Sequence, residues 1–187
     1  MIGYAFCGSF CTLSHSLAAL RRLRADGEDI LPIMSESVYR TNTRFWQAEE
    51  FYQTVKNLCG GREAIHTIVD AEPLGPKTPL ESLIISPCTG NTLAKIANGI
   101  TDTPVCMAAK AHMRQSRPLL IALASNDALS ANLGNISVML NKKNVYFVPM
   151  KQDDPINKPH SLVCDFSKLT ESFDKMLAGK QTRPIFI

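Results

Sequence analysis

No apolar run in this chain of 187 residues approaches the roughly 20 residues a membrane-spanning helix needs. Met1 to Leu13 carries no charge, but it lacks the basic start of a secretory signal. It reads as a buried strand followed by a turn, in a chain expected to be cytoplasmic. Charge of one sign is also scarce in excess: 20 Lys and Arg against 17 Asp and Glu leave a net +3. The densest basic cluster, Arg21, Arg22 and Arg24, falls in a helical pattern and reads as a solvated helix face, so no nucleic-acid partner is expected. There is no internal repeat, low-complexity tract or interdomain linker. A single domain over residues 1–187 is expected. Metal-ligand spacing is absent too. Cys7, Cys11 and His15 are four apart, but Cys7 falls in a strand pattern and only the later two could share a helix, so no metal is expected. The six cysteines read as buried free thiols rather than disulfides, because the chain is long enough to build a core without them.

What is present is an alternation of short apolar runs and amphipathic stretches in a chain that is 45% hydrophobic and 20% charged. Strands are predicted over Ile2–Cys7, Ile30–Met34, His66–Val69, Leu83–Ser86 (closed by Pro87), Leu119–Ala124 and Val145–Val148. Helices are predicted from Leu13 to Gly27, where Leu13, Leu17, Leu20 and Leu23 share a face and Thr12 or Ser14 caps the start. Further helices are expected over Phe45–Leu58, Asn91–Ile100, Leu129–Leu140 and Leu169–Leu177. Glu72 to Leu80, with three prolines and a glycine, is expected to be a loop. Continuous apolar strands alternating with amphipathic helices predict a three-layer α/β, Rossmann-like architecture: a parallel sheet with helices on both faces.

In such sheets ligands sit at the carboxyl ends of the strands. The first strand ends in Gly8, Ser9 and Thr12, which offer hydroxyls and free amides ahead of a helix and suit phosphate. The second ends in Ser35, near Ser37. The third ends in Pro87, Cys88, Thr89, Gly90, Asn91 and Thr92, a constellation suited to phosphate or to the polar edge of a flavin-like ring; Asn91 or Thr92 alternatively caps the helix. The fourth ends in Ser125, Asn126 and Asp127, with Asn126 or Asp127 as alternative caps. The fifth, Val148-Pro149-Met150, offers packing only.

The run Pro87–Lys95, PCTGNTLAK, resembles the P-x-[ST]-x-N-T-x-x-K loop of the homo-oligomeric flavin-containing cysteine decarboxylases. In that superfamily this loop and the Gly-Ser turn after the first strand help to hold FMN. A longer series covers essentially the whole chain and resembles the dipicolinate synthase B-subunit family. It comprises Gly8-Ser9, TNTRF (Thr41–Phe45), AEPLGPK (Ala71–Lys77), TGN (Thr89–Asn91), MAAKA (Met107–Ala111), SNDAL (Ser125–Leu129), NVYFVP (Asn144–Pro149) and GKQ (Gly179–Gln181). The resemblance implies a flavoprotein-type fold and an FMN-suited set formed by Gly8, Ser9, Thr12, Ser35, Pro87, Thr89, Gly90, Asn91, Thr92, Ser125 and Asn126. It implies homo-oligomers and an A-subunit partner that uses NAD(P)H. The complex would be an oxidoreductase that turns a hydroxytetrahydrodipicolinate, a dicarboxylate, into dipicolinate in the mother cell of a sporulating bacterium. Two departures stand out. The superfamily's histidine aligns near Pro73, and its PAMN-like turn is matched by Asn126 with Ser125 in place of methionine.

No nucleophile–base set is visible, so the catalytic residues stay open. His15 lies early in the first helix, where it is placed for a phosphate or carboxylate or for the surface. Lys77, Lys95, Lys110 and Arg114 are the candidate charges for a dicarboxylate. Lys95 fits a solvated helix equally well, and Asp127 is either a general base or a cap. Two alternatives to the synthase-component reading remain at this level: a stand-alone FMN-dependent decarboxylase or prenyltransferase-like enzyme, and a non-catalytic scaffold.

Overall fold

The structure is a computed structural model that describes residues 1–75 and 77–187. β1 (Ile2–Phe6) is buried at every position. A 3-10 turn (Phe10–Thr12) leads into α1 (Leu13–Ala25), whose Leu13, Leu17, Leu20 and Leu23 are buried. Gly27 ends this helix with φ 91°. Its left-handed backbone lets the Glu28 amide turn back to the Leu23 carbonyl at 3.1 Å, a closure that a Cβ would strain. Next come β2 (Ile30–Met34), α2 (Glu36–Arg40), α3 (Ala48–Leu58) and α4 (Ile68–Ala71). The second half holds β3 (Leu83–Cys88), α5 (Gly90–Ala97), α6 (Pro104–Met113), β4 (Leu119–Ser125) and α7 (Leu133–Leu140). β5 (Val145–Phe147), β6 (Met150–Lys151), β7 (Leu162–Cys164) and α8 (Leu169–Leu177) complete it.

The strands form one sheet in the order β2-β1-β3-β4-β7-β6, with β5 also beside β4. α1 packs with α3 and α8, and α5 with α6 and α7, which makes a three-layer α/β fold with a mostly parallel sheet. The central strands are covered on both faces, so Leu119, Leu120, Ile121 and Leu123 of β4 are all fully buried. Each such side chain contributes about 1.5–3 kcal/mol of burial free energy. One buried polar chain crosses this core. The Tyr4 hydroxyl donates to the Ser16 carbonyl (2.9 Å), and the Ser16 hydroxyl donates to the Ser86 carbonyl (2.6 Å), tying α1 to β1 and β3.

Several sequence expectations need correction. The sheet is not wholly parallel: β7 runs antiparallel to both β4 and β6. The strand predicted at His66–Val69 is reduced to a bridge between Ile65 and Ile33, because the Thr67 hydroxyl caps α4 by accepting from the Asp70 amide. β3 does not close at Pro87 but runs on to Cys88. The register shifts between Ile85 and Cys88, so proline's missing N–H falls at an irregularity, where a ladder bond is not required. The helix predicted from Phe45 starts at Ala48, since the Thr43 hydroxyl holds the Phe45 and Trp46 amides in a turn. The helix predicted from Leu129 starts at Leu133. Thr12 stands at the N-cap of α1 without capping it; its hydroxyl bonds Ser9 instead. The loop predicted at Glu72–Leu80 includes a 3-10 turn at Glu72–Leu74. α6 is marked locally by Thr103-Pro104, with the Thr103 hydroxyl accepting from the Cys106 amide and proline in the first turn. Among the arginines Arg21 and Arg22 are exposed, whereas Arg24 Nε donates to the Leu58 carbonyl.

Among the described residues no helix is long and apolar enough to cross a membrane. All six cysteines are free thiols, and only Cys11 is exposed. Burial pushes the Cys7 thiol up to about 12, which leaves it unreactive at neutral pH. A thiol-exchange reagent is therefore expected to titrate one cysteine promptly in the native protein and all six after denaturation. Cys11→Ser should remove the prompt reaction.

Candidate functional site

The carboxyl ends of β1, β3 and β4 open into a groove of about 750 Å³, within the range of roughly 300–1,000 Å³ usual for small-molecule clefts. The first strand-end loop contributes Gly8, Ser9 and Thr12 to its wall. This loop is internally braced: the Ser9 amide donates to the Cys7 carbonyl (2.8 Å), and the Thr12 hydroxyl bonds both the Ser9 carbonyl (2.9 Å) and the Ser9 hydroxyl (3.0 Å). Ser35 does not line the groove. It caps α2 at the Val38 amide and bonds the Ser37 hydroxyl at 3.0 Å. Ser37 in turn lies so close to Gly8 that a Cβ there would stand 2.9 Å from its hydroxyl. Ser35 is thus one layer behind the wall.

Thr89 and Gly90 line the groove at the start of α5. Thr89, rather than Asn91 or Thr92, is the cap: its hydroxyl oxygen accepts from the Thr92 amide at 3.2 Å. The Gly90 and Asn91 amides, first in the helix, have no intrahelical acceptor, and the positive end of the helix favours an anion there. Pro87 works from behind, its carbonyl accepting from the Cys7 amide at 3.1 Å and joining the first and third loops. Thr92 is buried and takes the Thr89 hydroxyl as donor at 3.0 Å, and Asn91 points to solvent.

Ser125, Asn126 and Asp127 line the groove from β4. The Ser125 hydroxyl donates to Asp127 Oδ1, and Asn132 Nδ2 donates to the same oxygen at 3.0 Å. The Ser125 bond, then that of Asn132, holds the Asp127 carboxyl below its ordinary range. That acidity suits a fixed acceptor and makes Asp127 a weak base. Neither Asn126 nor Asp127 caps α7, which has Asn132 in that position. The polar chain continues from Asn135 to Asn132 (3.0 Å) and from Asn98 to Asn135 (3.2 Å). Gly90 sits directly on it. A Cβ at Gly90 would lie 2.4 Å from Ser125 Oγ, 2.5 Å from Asn132 Nδ2 and 2.8 Å from Asp127 Oδ1.

His15 also lines the groove, with its ring stacked on Phe166 at 5.9 Å. The lysine candidates do not line it. Lys95 pairs with Asp102 at 2.9 Å. Lys110 and Arg114 border a separate cleft of about 300 Å³ with Ile100 and Lys142. Lys77 belongs to the loop beside Met1 and Glu81, at the amino edge of the sheet, where its amide donates to the Pro73 carbonyl. Pro73 lies at that edge too, near Met1 and His66, so among the described residues no acid–base group enters the groove from its segment. The groove also contains residues that the strand-end pattern does not single out: Arg44, Phe45, Asp153, Lys158 and Val163. The TNTRF motif is the one local pointer to the first two. Nothing local marks the others, which the antiparallel β7 brings in.

Hydroxyls, free helix-start amides and close-packed glycines at the carboxyl ends of a mostly parallel sheet define a phosphate-suited α/β protein of the flavoprotein class. The Flavoprotein family matches residues 2–177, and the chain belongs to that family. Over 186 residues the chain is 41% identical to the dipicolinate synthase B subunit of Bacillus subtilis (strain 168), covering 100% of this chain and 92% of that protein. The crystal structure of the Bacillus halodurans dipicolinate synthase B subunit is similar with a TM-score of 0.90 and 38% identity, covering 100% of this chain and 95% of that one. The FMN-dependent cysteine decarboxylase SpaF shares the fold, with a TM-score of 0.71 at 20% identity and 95% and 94% coverage.

Gly90→Ala is expected to cost about 1–3 kcal/mol by overpacking, seen as a lower denaturant midpoint. Asp127 has a depressed folded-state pKa. Its contribution to stability is present above the unfolded aspartate value and fades as pH falls through the folded one. Asp127→Asn should flatten that acid limb in pH-dependent melts.

Proposed function

We propose that this chain is the B subunit of a dipicolinate synthase and that its groove binds a flavin phosphate. The observation that carries the reading is the convergence of Ser9, Thr89, Gly90 and Ser125 on one groove, in a chain similar over its whole length to dipicolinate synthase B subunits. The donor set fits FMN. The Ser9 hydroxyl and the Gly90 and Asn91 amides, at the helix start that Thr89 caps, would hold the phosphate, with Ser125 and Asn126 beside the ring. When bound, FMN supplies a ring able to accept electrons.

In the synthase reaction a hydroxytetrahydrodipicolinate loses water, then a hydride and a proton, and becomes the aromatic dicarboxylate. The hydride goes to the NAD(P)+ of the A subunit. On this reading the B chain's residues bind and orient the dianion and shield it from water. His15 is the histidine that lines the groove among the described residues. Homo-oligomerisation, the A-subunit partner and a role in the mother cell of a sporulating bacterium belong to the same proposal. Asp70 and Glu72, beside Pro73, border other clefts and not the groove, which disfavours flavin-dependent decarboxylation.

The test titrates the purified chain with FMN and, separately, follows dipicolinate formation with and without an A subunit. FMN binding is expected, with Ser9→Ala weakening it about 10-fold through one lost charge-assisted hydrogen bond. Faster dipicolinate formation when the chain is added to the A subunit is expected as well. No flavin binding in either state would remove the flavin part. No effect on the A subunit would remove the synthase part.

A further inference from the structure

The turn between α2 and α3 is built to hold its tip still. The Asn42 side-chain oxygen accepts from the Ala48 amide at 2.9 Å. The Thr43 hydroxyl oxygen accepts from the Phe45 amide at 3.1 Å and the Trp46 amide at 3.2 Å, while the Thr43 amide donates to the Trp46 carbonyl at 2.9 Å. Trp46 anchors the turn to the rest of the molecule. Its ring meets Phe51 edge-on at 5.3 Å, and its indole N–H donates to the Ser14 hydroxyl at 3.1 Å, one residue from His15 of the groove wall. The two residues left at the tip are Arg44 and Phe45, and both line the groove.

Beyond their contact with each other, the Arg44 side chain makes no hydrogen bond or ion pair among the described residues, and Phe45 stays partly open. The Arg44 guanidinium lies over the Phe45 ring at 4.9 Å. Among the described residues it forms no ion pair, whereas Lys158, the groove's other strong cation, is paired with Asp153 at 3.1 Å. Phe45 keeps 45% of its surface open, an arrangement that costs hydrophobic free energy unless something covers it. A guanidinium fork matches a carboxylate in a two-point hydrogen bond, and the neighbouring aromatic face suits a flat ring. Because the turn is already ordered, little conformational entropy is lost when a ligand arrives.

We infer that Arg44 and Phe45 form a ring-carboxylate site in the groove, with Arg44 taking one carboxylate of a planar pyridine dicarboxylate and Phe45 covering its ring. This deepens the synthase reading and rests on it. It assigns the dianion's recognition to a segment distinct from the phosphate-suited loops of β1 and β3.

The experiment is calorimetric titration of the full chain, alone and with the A subunit, using dipicolinate, picolinate (one carboxylate) and FMN as separate probes. The wild type is expected to prefer dipicolinate to picolinate. Arg44→Ala should weaken dipicolinate by about 10- to 100-fold and collapse that preference, with FMN affinity unchanged. Arg44→Lys should restore part of the affinity, and Phe45→Ala should weaken both pyridine acids alike. Loss of FMN rather than dipicolinate in Arg44→Ala would put the guanidinium on the phosphate and overturn the inference. So would an unchanged preference, or a wild type that binds no dipicolinate in either state. FMN binding by the wild type and its stimulation of the A subunit are read independently, so failure here is distinct from failure of the synthase reading.

Discussion

Between Gly90 and the Ser125 hydroxyl there is no room for one more carbon atom, and much of the site depends on that contact. Because residue 90 has no side chain, the first turn of α5 settles onto the Ser125–Asp127–Asn132 hydrogen bonds. The strand-end loops of β3 and β4 thereby become neighbours, and the helix-start amides reach the same groove as the β4 hydroxyl. Behind this contact the Pro87 carbonyl takes the Cys7 amide, and the Ser16 hydroxyl bridges to Ser86. The loops that face the groove are held by a buried interior rather than by each other alone.

A second constraint comes from β4, whose outer edge is divided. Its first half pairs with β5 in parallel, and its last two residues pair with β7 in the opposite sense. The antiparallel return carries the segment containing Asp153 and Lys158 across the carboxyl end of the sheet, where a further parallel strand would have led away. The groove is therefore walled by a brace that closes on itself, with Asp153 accepting from both Ser161 and Lys158.

The chemistry the groove offers is recognition more than attack. Cys7 lies buried with its thiol pushed up to about 12, and Asp127 is held as an ionised acceptor by its own neighbours. Among the described residues the cavity wall carries hydroxyl donors, His15, the exposed Cys11 thiol, the acids Asp127 and Asp153, a lysine paired with Asp153, and an arginine without an ion-pair partner.

The buried strands, the apolar face of α1, the span of α8, and the Gly-Ser and Thr-Gly-Asn strand ends were legible in the sequence. Each is set by local physics: apolar period, the φ freedom of glycine, and hydroxyls that satisfy helix-start amides. The same local rules misplaced the His66 strand and the starts of α3 and α7, where side chains such as Thr67 and Thr43 redirect the backbone. They also could not say that Lys77, Lys95 and Lys110 stand apart from the groove, or that Arg44, Phe45 and Lys158 meet in it. Those placements hang on contacts between residues far apart in the chain, such as Trp46 with Ser14 and Val163 with Ala124. Periodicity reports which face of an element is apolar, but only the packed tertiary structure decides which faces share a cavity.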